Sequence, residues 1–206
     1  NPGDLVESNI VLNLNDPCTF DTSWIKPGRT AWDWWSGPTV EGAGFEAGMD
    51  NRTMKHYIDF ASEAGLEYML VDAGWYGSHS DGSKDITASI DEIDIPELVA
   101  YGAQHNVDIL LWLNWKGVDS QMETAFPLYA SWGVKGVKVD YMNRDDQEMV
   151  DFYHRTVKTA VENKLLVDFH GAYKPTGIRR TYPNLITREG VLGLEADKED
   201  EVVRIP

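Results

Sequence analysis

One cysteine, Cys18, occurs in 206 residues. A single thiol excludes an intramolecular disulfide and a cysteine-built metal site, and leaves the redox compartment open. Long apolar runs are missing as well, since no stretch approaches the ~18 residues that a membrane-spanning helix needs. The opening Asn1-Pro-Gly-Asp4 has neither the basic nor the apolar region of a secretory leader, so no signal peptide is expected in this chain. Basic residues are scarce: 18 Lys and Arg against 34 Asp and Glu, a formal net charge of −16. That balance repels nucleic acid and anionic membranes, and suits a neutral substrate or a hard cation. Phosphate-cradling loops of the Walker or Gly-x-Gly-x-x-Gly type do not occur, which argues against nucleotide chemistry. A Gly-x-Ser-x-Gly elbow for a serine hydrolase is absent too.

What is present is an ordinary globular composition, 42% hydrophobic and 25% charged, with eight Trp and nine Tyr. Aromatic rings stack on the C–H faces of sugars, but large cores use them equally. Along the chain, strand-like and helix-like stretches alternate. Strands are expected at 30–35, 68–72, 108–114, 134–140, 165–169 and 185–189. Helices are expected at 53–64, 95–105, 122–132 and 145–163, with Pro127 interrupting the third. Residues 1–24, including Val11-Leu-Asn-Leu-Asn15, read as a strand or extended lead-in, and 25–206 as a partial (β/α) barrel domain. Repeated alternation of this kind means a parallel sheet with right-handed crossovers. The fold class is therefore α/β, of the (β/α)8 barrel type, with about six of the eight units in this chain.

The strand ends carry the chemistry. Trp35, Asp72, Asn114, Asp140, His170 and Glu189 all fall at or just beyond the ends of expected strands, and a parallel barrel gathers such ends on one face. Asp140 is the most informative of them. It closes the run Gly136-Val-Lys-Val-Asp140, and strand periodicity puts Lys138 and Asp140 on the same face. A buried lysine and aspartate side by side are costly in a plain core and make sense at a barrel mouth. The cluster Arg144-Asp145-Asp146 reads as a charged helix N-terminus rather than a metal site.

The chain resembles glycoside hydrolase family 97. The resemblance runs from about Glu7 to Glu195 and rests on Ser23-Trp-Ile-Lys-Pro-Gly28, Trp32-Asp-Trp-Trp35, Asp72-Ala-Gly-Trp75, Asp85-Ile-Thr87, Asp94-Ile-Pro-Glu-Leu98, Gly136-Val-Lys-Val-Asp140 and Pro175-Thr-Gly-Ile-Arg-Arg-Thr-Tyr-Pro-Asn184. Members cleave α-linked glucosides or galactosides. Inverting members carry a base glutamate after the His of the His170 motif, where this chain has Gly171. Retaining α-galactosidases place an aspartate nucleophile at the end of the fourth strand, where this chain has Asp140. The resemblance thus implies a retaining α-galactosidase with Asp140 as nucleophile and Glu195 as acid/base. Lys138, Asp72, Trp75, His170, Asn114 and Trp35 would meet the sugar. Lys138 would also hold the Asp140 pKa down. Glu189 and Glu195 would be calcium ligands, with Ca²⁺ held weakly or not at all because further ligands come from a domain not included here. The same resemblance implies an α-galactoside oligosaccharide as partner, a periplasmic or secreted bacterial location, and self-association through an open sheet edge. The alternatives are an inverting α-glucosidase, or a barrel remnant that binds sugar without turnover.

Overall fold

The computed structural model describes residues 3–4, 8–34, 37–78, 80–174, 176–191 and 193. Its framework is β1 (Thr30–Trp32), α2 (Asn51–Glu63), β2 (Tyr68–Val71), α3 (Ile95–Gln104), β3 (Asp108–Asn114), α4 (Trp115–Trp132), β4 (Gly136–Asp140), α5 (Gln147–Glu162), β5 (Leu166–His170) and β6 (Leu185–Arg188). A short helix α1 (Ile10–Asn13) precedes it, and a 3₁₀ turn, Ile178–Arg180, lies before β6. All strand pairs are parallel, and the sheet order is β1-β2-β3-β4-β5-β6. A doubly wound sheet reverses its order at a switch point. Here every strand lies beside its predecessor, which gives a curled half-barrel with helices outside.

Each strand separates two environments by its period of two. The outward set, including Met69, Val71, Ile109, Leu111, Val137, Val139, Val167 and Phe169, is at most 2% exposed and packs under the helices. The inward set alternates with it and carries Trp112, Lys138, Asp140, Asp168 and His170. Helix starts follow from capping residues: the side chains of Asp50, Asp94 and Asp146 accept from the backbone N–H of Thr53, Glu97 and Met149. Arg144 pairs with Asp146 and Glu148 at the start of α5, so that cluster is the charged helix N-terminus expected of it.

Two local expectations are overturned. Pro127 does not break its helix, and α4 runs unbroken from Trp115, capped by the Asn114 side chain on Lys116 N–H. Pro127 is on the exposed side, while Met122, Ala125, Phe126 and Tyr129 on the buried side are at most 2% exposed. Burial of that face outweighs the lost backbone bond, whose Glu123 carbonyl lies on the exposed side. The lead-in is not extended at Ile10–Asn13 but helical. Asn13 and Leu14 N–H donate to Asn9 and Ile10 carbonyls at 3.0 Å, and Asn15 Nδ2 caps the Val11 carbonyl at 2.7 Å. Among the described residues no helix is long and apolar enough to cross a membrane.

Candidate active site

Asp140 ends β4 at the mouth of the curl, in register with Asn114 on β3 and His170 on β5. Three donors hold its carboxylate. Trp112 Nε1–H donates to Oδ2 at 2.9 Å, and His170 Nδ1 faces the same oxygen at 3.1 Å. The Tyr141 backbone N–H donates to Oδ1 at 2.6 Å. Tyr141 reaches this geometry with φ +71°, a left-handed conformation uncommon away from glycine. A carboxylate has about four lone-pair sites, so one remains for chemistry. Burial pushes the Asp140 pKa up, but the hydrogen bond and charge of His170 and the Trp112 bond outweigh it and hold the group below its ordinary value.

Lys138 does less for Asp140 than its place two residues away implied, since it is the weakest of the groups that lower the Asp140 pKa. Its Nζ instead donates to Asp72 Oδ2 at 2.9 Å, with both side chains nearly buried. It also lies 4.9 Å from the Trp32 ring, whose Nε1–H donates to the same Asp72 oxygen at 2.6 Å. Asp72 Oδ1 accepts the Ala73 N–H at 2.7 Å. Strand parity determines which face a side chain takes, and the partner across the sheet determines the pairing.

His170 engages carboxylates with both ring nitrogens, Nδ1 toward Asp140 and Nε2 toward Glu189 Oε2 at 3.2 Å. Burial and the Lys138 charge lower its pKa, yet the bond to Asp140 and the two negative charges leave it raised. In this arrangement it holds Asp140 in place rather than offering a free nitrogen to a sugar hydroxyl. Asp168, one layer below and in register with Lys138, is pushed up by burial and by the charges of Asp140 and Glu189.

Trp75 is a correction. It is fully buried, its Nε1–H donates to the Trp112 carbonyl at 2.8 Å, and its ring packs edge-on against Tyr76 and Tyr129. The turn after β2 folds it under the mouth, so it supports Trp112 and cannot stack on a sugar. Asn114 is 4% exposed and gives its side-chain oxygen to the α4 cap, so that oxygen is committed to the helix. Trp35 and Glu195 lie outside the described residues. Glu189 is not joined by two further His, Cys, Asp or Glu groups at metal-holding distance among the described residues. Ca²⁺ takes 6–8 oxygens, of which Glu189 is the one expected side-chain ligand inside those residues, and no chemical step is routed through calcium. Trp112 and Asp33 are groups that the sequence reading passed over. The signals were available: Trp112 shares the inward face with Asn114, and Asp33 sits inside Trp32-Asp-Trp-Trp35.

The sequence profile described as Glycoside hydrolase 97 matches residues 32–191. The chain is similar to a retaining alpha-galactosidase of Bacteroides thetaiotaomicron, 45% identical over 196 residues that cover 95% of this chain and 29% of that protein. It is also similar to a probable retaining alpha-galactosidase of Streptomyces bingchenggensis, 38% identical over 179 residues, 85% of this chain and 27% of that protein. Among solved structures it resembles a Glycoside Hydrolase Family 97 enzyme in complex with acarbose from Pseudoalteromonas sp. strain K8. The TM-score is 0.76 at 34% identity, covering 93% of this chain and 34% of that one. The chain thus spans under a third of the length of the curated relatives it matches.

Proposed function

The chain belongs to glycoside hydrolase family 97, and we propose that it forms the nucleophile-bearing part of a retaining α-galactosidase. The observation that carries this reading is the Asp140 carboxylate, kept ionised at the barrel mouth by three donors and with a lone-pair position left over. In a retaining mechanism Asp140 attacks the anomeric carbon as the glycosidic C–O bond breaks, and Glu195 gives its proton to the leaving oxygen. Water then attacks the same carbon, returns a proton to Glu195 and releases Asp140 from its sugar ester. The His170 ring and the Trp112 N–H stabilise Asp140 whenever it is free, at the start and at the end of the cycle. The Lys138–Asp72 pair, nearly buried at the mouth, turns its remaining ammonium donors and carboxylate lone pair to sugar hydroxyls.

Gly171 supports retention over inversion. It has φ +70°, and a Cβ built on it would lie 3.5 Å from Asp140 Oδ1. A glutamate at that position would start beside the very carboxylate this chain already has. Its carboxyl, two bonds beyond that Cβ, would share the mouth with Asp140, and like charges held close disfavour joint ionisation. The two carboxylates are therefore alternatives, and this chain has the nucleophile. The acting protein lies in the periplasm or outside a bacterial cell, and the single-sided pairing of β1 and β6 among the described residues marks edges where further strands or a second copy attach. The test is stereochemical. Proton NMR of a nitrophenyl α-galactoside digest, read before mutarotation, should show the α-anomer of galactose first. A β-anomer as first product would return the chain to inversion.

A further inference from the structure

Asp33 is a carboxyl that the reaction above does not use. It follows β1, is 1% exposed, and its Oδ1 accepts the backbone N–H of Asp72 at 2.9 Å. Its Oδ2 is the one buried carboxyl oxygen among the described residues without a hydrogen-bond partner. The Asp72 side chain meanwhile accepts from three donors, Lys138, Trp32 and the Ala73 N–H. Two carboxyls thus lie back to back, joined through the Asp72 backbone, and only one of them has the ammonium.

We propose that Asp33 is a positioning residue whose carboxyl, buried behind Asp72, fixes the turn after β2 and so aims the Asp72–Lys138 pair at the sugar. The inference rests on the galactosidase reading for what the pair binds, and on geometry alone for what Asp33 holds. An ionised oxygen with no donor is costly to bury, so the site favours the acid form with its proton on Oδ2. Burial first, and the Asp72 charge after it, raise Asp33 to about 7, against the Asp72 N–H bond and Lys138, which lower it. Asp72, just after β2, and Lys138 on β4 are the charges that face it, and α2, the helix packed on β1, adds none to these. When the proton leaves, a second anion competes with Asp72 for one ammonium, and the pair is pulled from its aim. Sugar affinity should therefore weaken as pH rises through about 7.

Two variants separate holding from mere packing. Asp33→Asn keeps an acceptor for the Asp72 N–H and cannot ionise. Its KM for a nitrophenyl α-galactoside at pH 6 should stay within about twofold of wild type, and the rise in KM above neutrality should vanish. Asp33→Ala leaves the Asp72 N–H unpaired. KM should rise at least ~10-fold at every pH while kcat changes less than about threefold. An unchanged KM in Asp33→Ala, or a wild-type pH profile in Asp33→Asn, overturns the proposal, and should Asp33→Ala not fold, Asp33→Asn decides it. If the wild-type protein cleaves no α-galactoside, the galactosidase reading fails separately. Hydrogen exchange of the Asp72 amide then tests the holding role: faster exchange in Asp33→Ala than in Asp33→Asn upholds it, and equal rates overturn it.

Discussion

Lys138→Met is expected to destabilise the fold by about 3–5 kcal/mol, and most of that loss should disappear when Asp72→Asn is added. The two side chains are 6% and 3% exposed and 2.9 Å apart. At an effective dielectric of about 20 their attraction is roughly 6 kcal/mol, while each ion loses several kcal/mol of hydration on burial. The pair therefore gains little over a neutral replacement. Removing one partner is different, because it leaves the Asp72 charge buried with only the Trp32 and Ala73 N–H groups. Asparagine at 72 has no charge to compensate, and its one amide oxygen keeps an acceptor for Trp32 or for Ala73, which bond different oxygens of the carboxylate. Urea unfolding of wild type, both single variants and the double variant gives the coupling energy, provided that two probes report one transition. It should be at least ~2 kcal/mol, with the double variant more stable than Lys138→Met. Additivity within ~0.5 kcal/mol would refute the view that the ammonium is there for Asp72.

Asp140→Ala should abolish turnover of α-galactosides, with activity restored by azide and β-galactosyl azide as the product, seen by NMR; full activity without azide would remove Asp140 as nucleophile. Trp75→Phe should lower the unfolding midpoint while KM stays within about twofold, since only the bond to the Trp112 carbonyl and some packing are lost; a KM increase of ~10-fold with normal stability would put Trp75 back against the sugar. Calorimetric titration with Ca²⁺ should show weak or no binding by the 206-residue chain. His170 faces a Glu189 oxygen that a cation would need. Binding at a millimolar Kd adds under ~1 kcal/mol of stability at millimolar calcium, and a submicromolar Kd would mean that a complete ligand set exists.

Much of this framework was legible from residue periodicity. Asp108–Asn114 reads as a strand because its length, apolar content and flanking polar residues agree, and Asp140 reads as a strand end because a β-branched run stops there. What periodicity could not supply was the identity of partners distant in sequence. Lys138 was paired on paper with its neighbour Asp140, but its hydrogen bond crosses to Asp72. His170 looked like a lone imidazole because Glu189 and Asp140 meet it only once three strands are side by side. Trp75 and Trp112 could not be told apart by type. One turn folds Trp75 beneath the mouth, while Trp112 is on the inward face, and a glycine-rich turn gives little warning of its direction. Pro127 was misread for the opposite reason: a strong local rule lost to a well-packed helix face.

The strand order has a consequence for how the molecule is made. Each strand hydrogen-bonds to the one synthesised just before it, from Thr30 with Tyr68 through to Asp168 with Thr187. A nascent chain leaving the ribosome can therefore add one strand–helix unit at a time, with no strand waiting for a distant partner. The carboxylate of Asp140 leaves the ribosome after the Trp112 indole that receives it, and ahead of His170. Its burial thus precedes its strongest cationic support.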